Sequence, residues 1–376
     1  MHRFQLRTTL CYGPDALEEL SRLSGRRVFI VTDGFISKAP LMSRVRDQLG
    51  DAVIEVFDDV QPDPDIDAVV AGLRAYNAFD PQAVLAIGGG SAIDTAKAVR
   101  KMAIEQAVRP EASFFILPTT SGTGSEVSSY AVVTDTKTHT KLPLESPDMV
   151  ADVAILDPEA VRTAPARLTA DSGMDAISHA IEAYVGKHHN DFSDALAEKS
   201  LRLANQYLVR SFCDGDDMVA REHQHTAATM AGIAFDNSSL GIVHGLSHSI
   251  GGIFRVAHGR LNGILLPHVI AFNAGELSFM PAELTPTARR YAALASALGL
   301  TASTQRNLVL ALSEWVKKIR QNLEMPASIT QAGVDRSEYL SRIPEIAETA
   351  VDDYCTAGNP VPVTSRELTA ILTAIA

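Results

Sequence analysis

Residues 83–99 read AVLAIGGGSAIDTAKAV, and this stretch decides the fold class of the first half of the chain. Ala83–Ile87 is a continuous apolar run of strand length, typical of a strand buried on both faces. Gly88–Gly90 form a tight turn, and a helical pattern runs from Ala92 to Lys101. Because N–H groups at a helix N-terminus attract anions and glycine has no side chain, the unit predicts a phosphate site. The third glycine of GxGxxG is absent, and a plain strand-to-helix turn is the alternative for this motif alone.

Strand-like and helical stretches alternate around this unit. Strands are predicted at Arg27–Val31, Ala52–Phe57, Ala83–Ile87 and Ser113–Leu117, with a helix at Ile66–Tyr76. Such alternation predicts an α/β domain in which crossover helices join the strands of a parallel sheet.

From about Pro158 the character of the sequence changes, and helical patterns dominate. They cover Asp171–Val185, Phe192–Phe212, Met218–Phe235, Thr285–Leu298 and Ser303–Leu323, and a last helix begins at Thr364 with Glu367 as its capping-box partner. We therefore predict two domains, an α/β domain over residues 1–160 and an all-helical domain over residues 161–376.

A polar loop, Pro118–Ser125 (PTTSGTGS), follows the strand Ser113–Leu117. In parallel sheets ligands bind outside the carboxyl ends of the strands, so this loop and the glycine turn belong to one edge. Asp33 also follows a strand, where a carboxylate can accept hydrogen bonds from a ribose and repel a 2′-phosphate. Alone, Asp33 is more simply explained as a turn residue. Together the three loops predict a nucleotide site.

Four histidines and one aspartate form a pattern that points to a metal site in the helical half. Asp175 and His179 are four residues apart, as are His244 and His248, and His258 follows ten residues later. Residues at i and i+4 share one face of a helix, so these side chains can converge between helices. Carboxylate and imidazole ligands suit Fe(II) or Zn(II). A metal ion of this kind takes about four ligands, and the pattern offers five candidates. One imidazole is therefore left for proton transfer. The alternative is a capping Asp175 with structural histidines.

Composition excludes several classes of function. The chain of 376 residues has 33 Lys+Arg and 45 Asp+Glu, a net charge of −12, which argues against nucleic acid or an anionic membrane as the main partner. The three cysteines Cys11, Cys213 and Cys355 show no CxxC spacing, which favours a reducing cytoplasm over a disulfide framework. No signal-peptide pattern or membrane-spanning apolar run is evident.

The Phe4–Thr9 stretch has the pattern of an edge strand. It pairs either with a second copy across a two-fold axis, which predicts a homodimer or higher homo-oligomer, or with the chain's own sheet.

Four motifs carry a resemblance to a known family. They are GGGSAIDTAKA (88–98), PTTSGTGSEV (118–127), GMDAISHAIEAY (173–184) and GIVHGLSHSIGGIFRVAHGRLNGILLPH (241–268). With them the chain resembles the iron-containing (group III) alcohol dehydrogenases over nearly its whole length. The resemblance implies a dehydroquinate synthase-like architecture, in which an α/β domain with a Rossmann-like parallel sheet precedes an all-α domain.

The resemblance also implies roles for individual residues. The implied metal ligands are Asp175, His179, His244 and His258, with His248 as a catalytic histidine near the nicotinamide. The implied NAD contacts are Asp33, Gly88, Gly89, Gly90, Ser91, Asp94, Thr119, Thr120, Thr123, Val132 and Lys141. An aspartate at the Asp33 position goes with NAD rather than NADP in that family.

Within the family the chain is most similar to the short propanol dehydrogenases of propanediol-utilisation microcompartments, through TDGFISKAPL (32–41), DFSDALAEKS (191–200) and FNAGEL (272–277). One departure is Ser249, where the nearest relatives often have Pro or Gln. The similarity implies NAD(H)-dependent reduction of propanal or acetaldehyde. It implies a location in the cytoplasm, with a microcompartment as a candidate location and its enzymes or shell as candidate partners. Lactaldehyde/1,2-propanediol and glycerol-type polyol dehydrogenases, the latter with zinc, are alternatives. Two alternatives belong to other functional classes. One is a metal-dependent lyase of the dehydroquinate synthase type, and the other is a non-catalytic partner within a microcompartment.

Overall fold

The computed structural model describes residues 3–106, 112–135, 140–275 and 283–376. The strands in this part of the chain are β1 (Thr9–Tyr12), β2 (Arg27–Asp33), β3 (Val53–Val60), β4 (Ala83–Gly88), β5 (Ser113–Pro118), β6 (Tyr130–Asp135), β7 (Thr140–Glu145) and β8 (Val153–Leu156). The α-helices are α1 (Pro40–Leu49), α2 (Ile66–Phe79), α3 (Gly90–Gln106), α4 (Ala166–Val185), α5 (Asp191–Cys213), α6 (Met218–Asp236), α7 (Ile242–Phe254), α8 (His258–Asn273), α9 (Pro286–Ala297), α10 (Gln305–Asn322), α11 (Arg336–Val351) and α12 (Ser365–Ala374).

The strand predicted from the AVLAI run is an inner strand of a six-stranded parallel sheet. The strand order is β1-β8-β5-β4-β2-β3, and every residue of β4 is buried between β5 and β2. Side chains alternate across the sheet, so that Val28 and Ile30 enter one hydrophobic cluster while Phe29 and Val31 enter another. Apolar side chains therefore cover both faces, which explains why these strands are continuous apolar runs.

The strand predicted at Phe4–Thr9 is wrong in its position. Strand β1 begins at Thr9 and pairs in parallel with β8, with Thr9 opposite Val153. Phe4 instead packs its ring against Phe192, with 5.3 Å between the ring centroids. The N-terminal strand thus adds to the chain's own sheet, as the edge strand beside β8.

An antiparallel hairpin, β6–β7, lies outside the six-stranded sheet. The predicted helices are present as α2, α4, α5, α6, α9 and α10, with ends within a few residues of those predicted. The predicted capping box at α12 is confirmed, since Glu367 Oε2 accepts a hydrogen bond of 2.9 Å from the Thr364 N–H.

Contacts divide the chain into two compact units. The sheet unit comprises Gln5–Pro165 and Gly215–Gly232, and the helical unit is built mainly from Ala166–Asp214 and Ile233–Ala376. In the helical unit, α4 packs against α5 and α8 and is buried along nearly its whole length. The last two residues of the FNAGEL motif lie outside the described residues. Among the described residues, none of the helices combines the length and the apolar composition needed to cross a bilayer.

Candidate metal centre and nucleotide loops

Three helices of the helical unit bring the predicted metal ligands together. Asp175 and His179 lie one turn apart on α4, His244 lies on α7, and His258 is the first residue of α8. One oxygen, Asp175 Oδ1, is the centre of the group. The Nε2 atoms of His258, His244 and His179 lie 3.5, 3.7 and 3.8 Å from it.

These separations suit a shared divalent ion. Tetrahedral ligands at about 2.1 Å from zinc or a similar ion lie about 3.4 Å from one another. The ligand atoms of Asp175, His244 and His258 all lie within 4.8 Å of one another. His179 lies outside this group of three, but it stacks on His244 with 4.5 Å between the ring centroids and is a candidate fourth donor beside Asp175. The donor set of one carboxylate and three imidazoles therefore fits Fe(II) or Zn(II).

Glu182 orients one of these imidazoles. His244 Nδ1 lies 2.5 Å from Glu182 Oε2, and the same carboxylate accepts the backbone N–H groups of Gly241 and Val243 at 3.0 and 2.7 Å. Because Nδ1 faces Glu182, Nε2 of His244 is directed toward Asp175 Oδ1, 3.7 Å away. This carboxylate–histidine arrangement is typical of metal sites, where it fixes the tautomer and the ring orientation.

Asn262, one turn after His258 on α8, completes the surroundings of Asp175. Its Nδ2 donates to Asp175 Oδ1 at 2.7 Å and lies 3.3 Å from Nε2 of both His244 and His258. Its Oδ1 accepts a hydrogen bond from the Ser247 hydroxyl. The amide therefore holds the central carboxylate in place between the imidazoles.

The ionisation of the group favours a bound cation. Burial acts to raise the pKa of Asp175, but the charges of His179 and His258 and a hydrogen bond with His244 outweigh it and hold the pKa below its ordinary value. Burial acts to lower the pKa of His244, but Glu182 and Asp175 raise it to about 9. Asp175 therefore stays ionised although it is buried, and an anionic oxygen among imidazoles suits a bound cation.

His248 lies on α7 one turn after His244 and has a different partner. Its Nδ1 lies 2.9 Å from Asp353 Oδ2, and its ring stacks between those of His258 and Tyr354, with centroid distances of 5.2 and 5.8 Å. Burial acts to raise the pKa of Asp353, but the hydrogen bond and charge of His248 outweigh it and lower the pKa. Asp353 Oδ2 therefore accepts a hydrogen bond from the Nδ1 N–H of His248 and fixes the orientation of its ring.

In the sheet unit, the glycine turn Gly88–Ser91 and the polar loop Pro118–Ser125 lie against each other. The Thr119 N–H donates to the Gly88 carbonyl at 2.9 Å. A Cβ at Gly89 would lie 3.1 Å from Thr120 Cγ2, and one at Gly90 would lie 3.0 Å from Thr123 Cγ2. Gly88 has φ +154°, and a Cβ there would lie 2.6 Å from the Ala92 Cβ, so only glycine fits. The predicted juxtaposition of the two loops is present.

Asp33 ends strand β2 beside this turn. Its Oδ1 accepts the N–H groups of Phe35 and Ile36 at 2.8 and 2.9 Å, and its Oδ2 lies 3.8 Å from the position of a Cβ on Gly88. One oxygen thus fixes the turn, which matches the simpler explanation, and the other faces the glycine turn.

Three other predicted nucleotide contacts have protein partners. Asp94 accepts hydrogen bonds from the Ser125 hydroxyl at 2.7 Å and from the Val132 N–H at 2.9 Å. Lys141 Nζ lies 2.7 Å from Asp63 Oδ1. Asp94 therefore joins the polar loop to β6, which is a structural task whether or not it also contacts a nucleotide.

Sequence reasoning missed Glu182, Asn262 and Asp353. Glu182 carried a signal, since it follows Asp175 by seven residues and so lies on the same helix face as Asp175 and His179. Asn262 also carried a local signal, since it lies four residues after His258, whereas Asp353 carried none, because it meets His248 across 105 positions.

Comparison with known proteins identifies the class. The model of the iron-containing alcohol dehydrogenases matches residues 8–158, and that of the C-terminal region of the Fe-containing alcohol dehydrogenase family matches residues 169–376. The chain belongs to the iron-containing alcohol dehydrogenases and is an oxidoreductase of that type.

Individual relatives show which alcohol dehydrogenases the chain resembles. The chain is 38% identical to the 1-propanol dehydrogenase PduQ of Salmonella typhimurium, with 99% of each chain covered. It is 35% identical to an NADPH-dependent butanol dehydrogenase of Clostridium saccharobutylicum, over 98% of this chain and 96% of that one. The solved structure of a 1,3-propanediol oxidoreductase superposes with a TM-score of 0.91 at 28% identity, with both chains fully covered. The predicted dehydroquinate synthase-like fold class is confirmed.

Proposed function

We propose that this enzyme interconverts short-chain aldehydes and primary alcohols with NAD(H), and that it acts mainly as a reductase of propanal or acetaldehyde. The observation that carries the proposal is the convergence of three imidazole nitrogens on Asp175 Oδ1 within 3.8 Å. The 38% identity to a 1-propanol dehydrogenase over 99% of both chains supports the substrate class. The same likeness supports, more weakly, a place in a microcompartment of the cytoplasm.

We assign the metal ligands to Asp175, His179, His244 and His258. Glu182 holds the imidazole of His244 through Nδ1, and Asn262 holds the carboxylate of Asp175. When bound by these residues, a divalent ion supplies Lewis-acid polarisation of the substrate oxygen. The protein contributes the fixed donor geometry, which avoids the cost of reorganising these groups during the reaction.

His248 is the proposed proton carrier. Its Nδ1 proton is held by Asp353 Oδ2 at 2.9 Å, so Nε2 accepts the hydroxyl proton when the alcohol is oxidised and returns it when the aldehyde is reduced. When bound, NAD(H) would supply the hydride chemistry that accompanies this proton transfer. Stacking of the His248 ring between His258 and Tyr354 keeps its plane fixed during this transfer.

We propose that residues 1–160 bind the nucleotide and residues 161–376 hold the metal. In the first, the glycine turn offers the N–H groups of the α3 N-terminus to a pyrophosphate, and Thr119, Thr120 and Thr123 line the facing loop. The carboxylate of Asp33 beside Gly88 disfavours a 2′-phosphate, which supports NAD over NADP. Homodimers or higher homo-oligomers stay part of the proposal.

The test is anaerobic oxidation of NADH by propanal, with chelator-stripped enzyme reloaded with Fe(II) or Zn(II). We expect metal to restore the rate, propanal and acetaldehyde to exceed lactaldehyde, and NADPH to be used poorly. Oxidation of glycerol by NAD⁺ serves as the comparison with polyol dehydrogenases. Absence of NADH oxidation by all three aldehydes with either metal contradicts the proposal and favours a lyase.

A further inference from the structure

One face of α6 contacts the polar loop in the sheet unit. His225, Thr229 and Gly232 follow one another at i, i+4 and i+7, and so lie on the same side of the helix. His225 Nδ1 lies 3.0 Å from the Ser121 hydroxyl oxygen. The Thr229 hydroxyl donates to Glu126 Oε1 at 2.6 Å, and Glu126 is the residue that follows the loop.

The third contact brings two backbones together. A Cβ at Gly232 would lie 2.8 Å from Gly124 Cα, and a Cβ at Gly124 would lie 2.5 Å from Gly232 Cα. Gly124 also has φ +62°, a conformation that favours glycine. The polar loop therefore rests directly on the helix, with hydrogen bonds on both sides of this contact.

These contacts are buried and uncharged on the helix side. His225 and Thr229 are each 2% exposed. Burial lowers the pKa of His225 to about 4, so its imidazole is neutral at pH 7. Because neither side chain is accessible, their effect on a ligand passes through the loop that they hold.

The opposite side of the same loop faces the glycine turn. Thr120 and Thr123 are the residues that approach Gly89 and Gly90, and they directly neighbour the anchored Ser121 and Gly124. A shift of the loop away from α6 therefore moves the two threonines that the proposed function places around the nucleotide.

We infer that His225 and Thr229 are positioning residues, which hold the polar loop against the glycine turn and thereby set the affinity for the dinucleotide without touching it. The inference rests on the proposed function, because it assumes that this loop binds NAD(H). Loss of one anchor should weaken the binding of NADH three- to tenfold, the equivalent of one net hydrogen bond. The metal content and the rate at saturating NADH should stay within about twofold of wild type.

The test uses full-length, metal-loaded enzyme and measures the NADH dissociation constant by fluorescence, the KM and kcat, and the metal content. His225→Leu and Ser121→Ala remove the two sides of one contact, and their effects should not add in the double variant. His225→Asn places an amide near the position of Nδ1 and should restore binding. Thr229→Val breaks the contact with Glu126. Its matched control is Thr226→Val, since the Thr226 hydroxyl donates to the Glu222 carbonyl of its own helix.

The outcomes distinguish a failure of the proposed function from a failure of this inference. If wild type binds neither NADH nor NADPH, the proposed function fails. If wild type binds NADH and Ser121→Ala, His225→Leu and Thr229→Val all bind it equally well, the inference is overturned. It is also overturned if Thr226→Val weakens binding as much as Thr229→Val, or if kcat falls with KM unchanged. Ser121→Ala keeps the test decisive should His225→Leu fold poorly, because it removes only a hydroxyl.

Discussion

Substitution of Gly259 by alanine tests how closely two helices of the metal centre must approach. Gly259 follows His258 at the start of α8. A Cβ at this position would lie 1.9 Å from the Asp171 carbonyl oxygen, 2.7 Å from the Asp171 carbonyl carbon and 3.1 Å from the Asp175 Cβ. The added methyl group thus collides with the backbone of α4, which cannot turn aside as a flexible side chain can.

The size of the displacement follows from these distances. Carbon–oxygen contacts are normally no shorter than about 3.3 Å, so α8 must move about 1.4 Å from α4 at this point. Metal ligands tolerate distance errors of only about 0.2 Å. We therefore expect Gly259→Ala to lower metal affinity by about 10- to 100-fold or more. A loss of this size is typical when a residue that supports a metal ligand is removed. Overpacking should also cost about 1–3 kcal/mol of stability.

The assay is a competition titration of Fe(II) or Zn(II) against a chelator, together with thermal unfolding. Gly263→Ala, one turn further along α8, is the matched control, because the nearest atoms to its Cβ would belong to the flexible side chains of Met325 and Met174, at 3.4 and 3.5 Å. The control should bind metal as wild type does. It should also be more stable than wild type by roughly 0.5–1 kcal/mol, because alanine stabilises a helix interior by this amount relative to glycine. Equal metal affinity in the two variants would refute the reasoning.

Four further substitutions test other parts of the site. Glu182→Gln should lower metal affinity about 10- to 100-fold, because His244 loses the carboxylate that fixes its tautomer; the same chelator titration measures it. His248→Ala should keep its metal and lose about 10²–10⁴-fold in kcat, and loss of metal in elemental analysis would make His248 a ligand instead. Asp33→Gly should let NADPH compete with NADH in steady-state rates, and an unchanged preference would mean that Asp33 does not face the ribose. His225, with a pKa of about 4 in the folded protein and about 6.5 when unfolded, binds its proton only in the unfolded state between these values. As the pH falls from 6.5 to 4, the free energy of unfolding of wild type should therefore fall by about 3 kcal/mol relative to that of His225→Asn. Denaturant unfolding at a series of pH values measures this difference, and an equal pH dependence of the two proteins would contradict the prediction.

Features of the fold that depend on neighbours in sequence were predictable. The AVLAI run, the glycine turn and the helix after it specify a buried parallel strand and a helix N-terminus within twenty residues. The i,i+4 spacing of Asp175 with His179 placed both on one face of α4 for the same reason. The N-terminal strand was misplaced, since an edge strand is defined by the ladder of its partner, and Val153 of β8 lies far along the chain from Thr9.

The sequence by itself indicated the class of fold, the donors proposed for the metal and the two loops proposed for the nucleotide, because helix and strand periodicity and turn chemistry act over a few residues. Only the tertiary structure decided how these parts are held. Glu182 meets His244 across 62 residues, and Ser121 meets His225 across 104. No local pattern records such contacts, because they exist only after burial has brought distant helices and loops close enough for hydrogen bonds and for the approach of α8 to α4 that Gly259 permits.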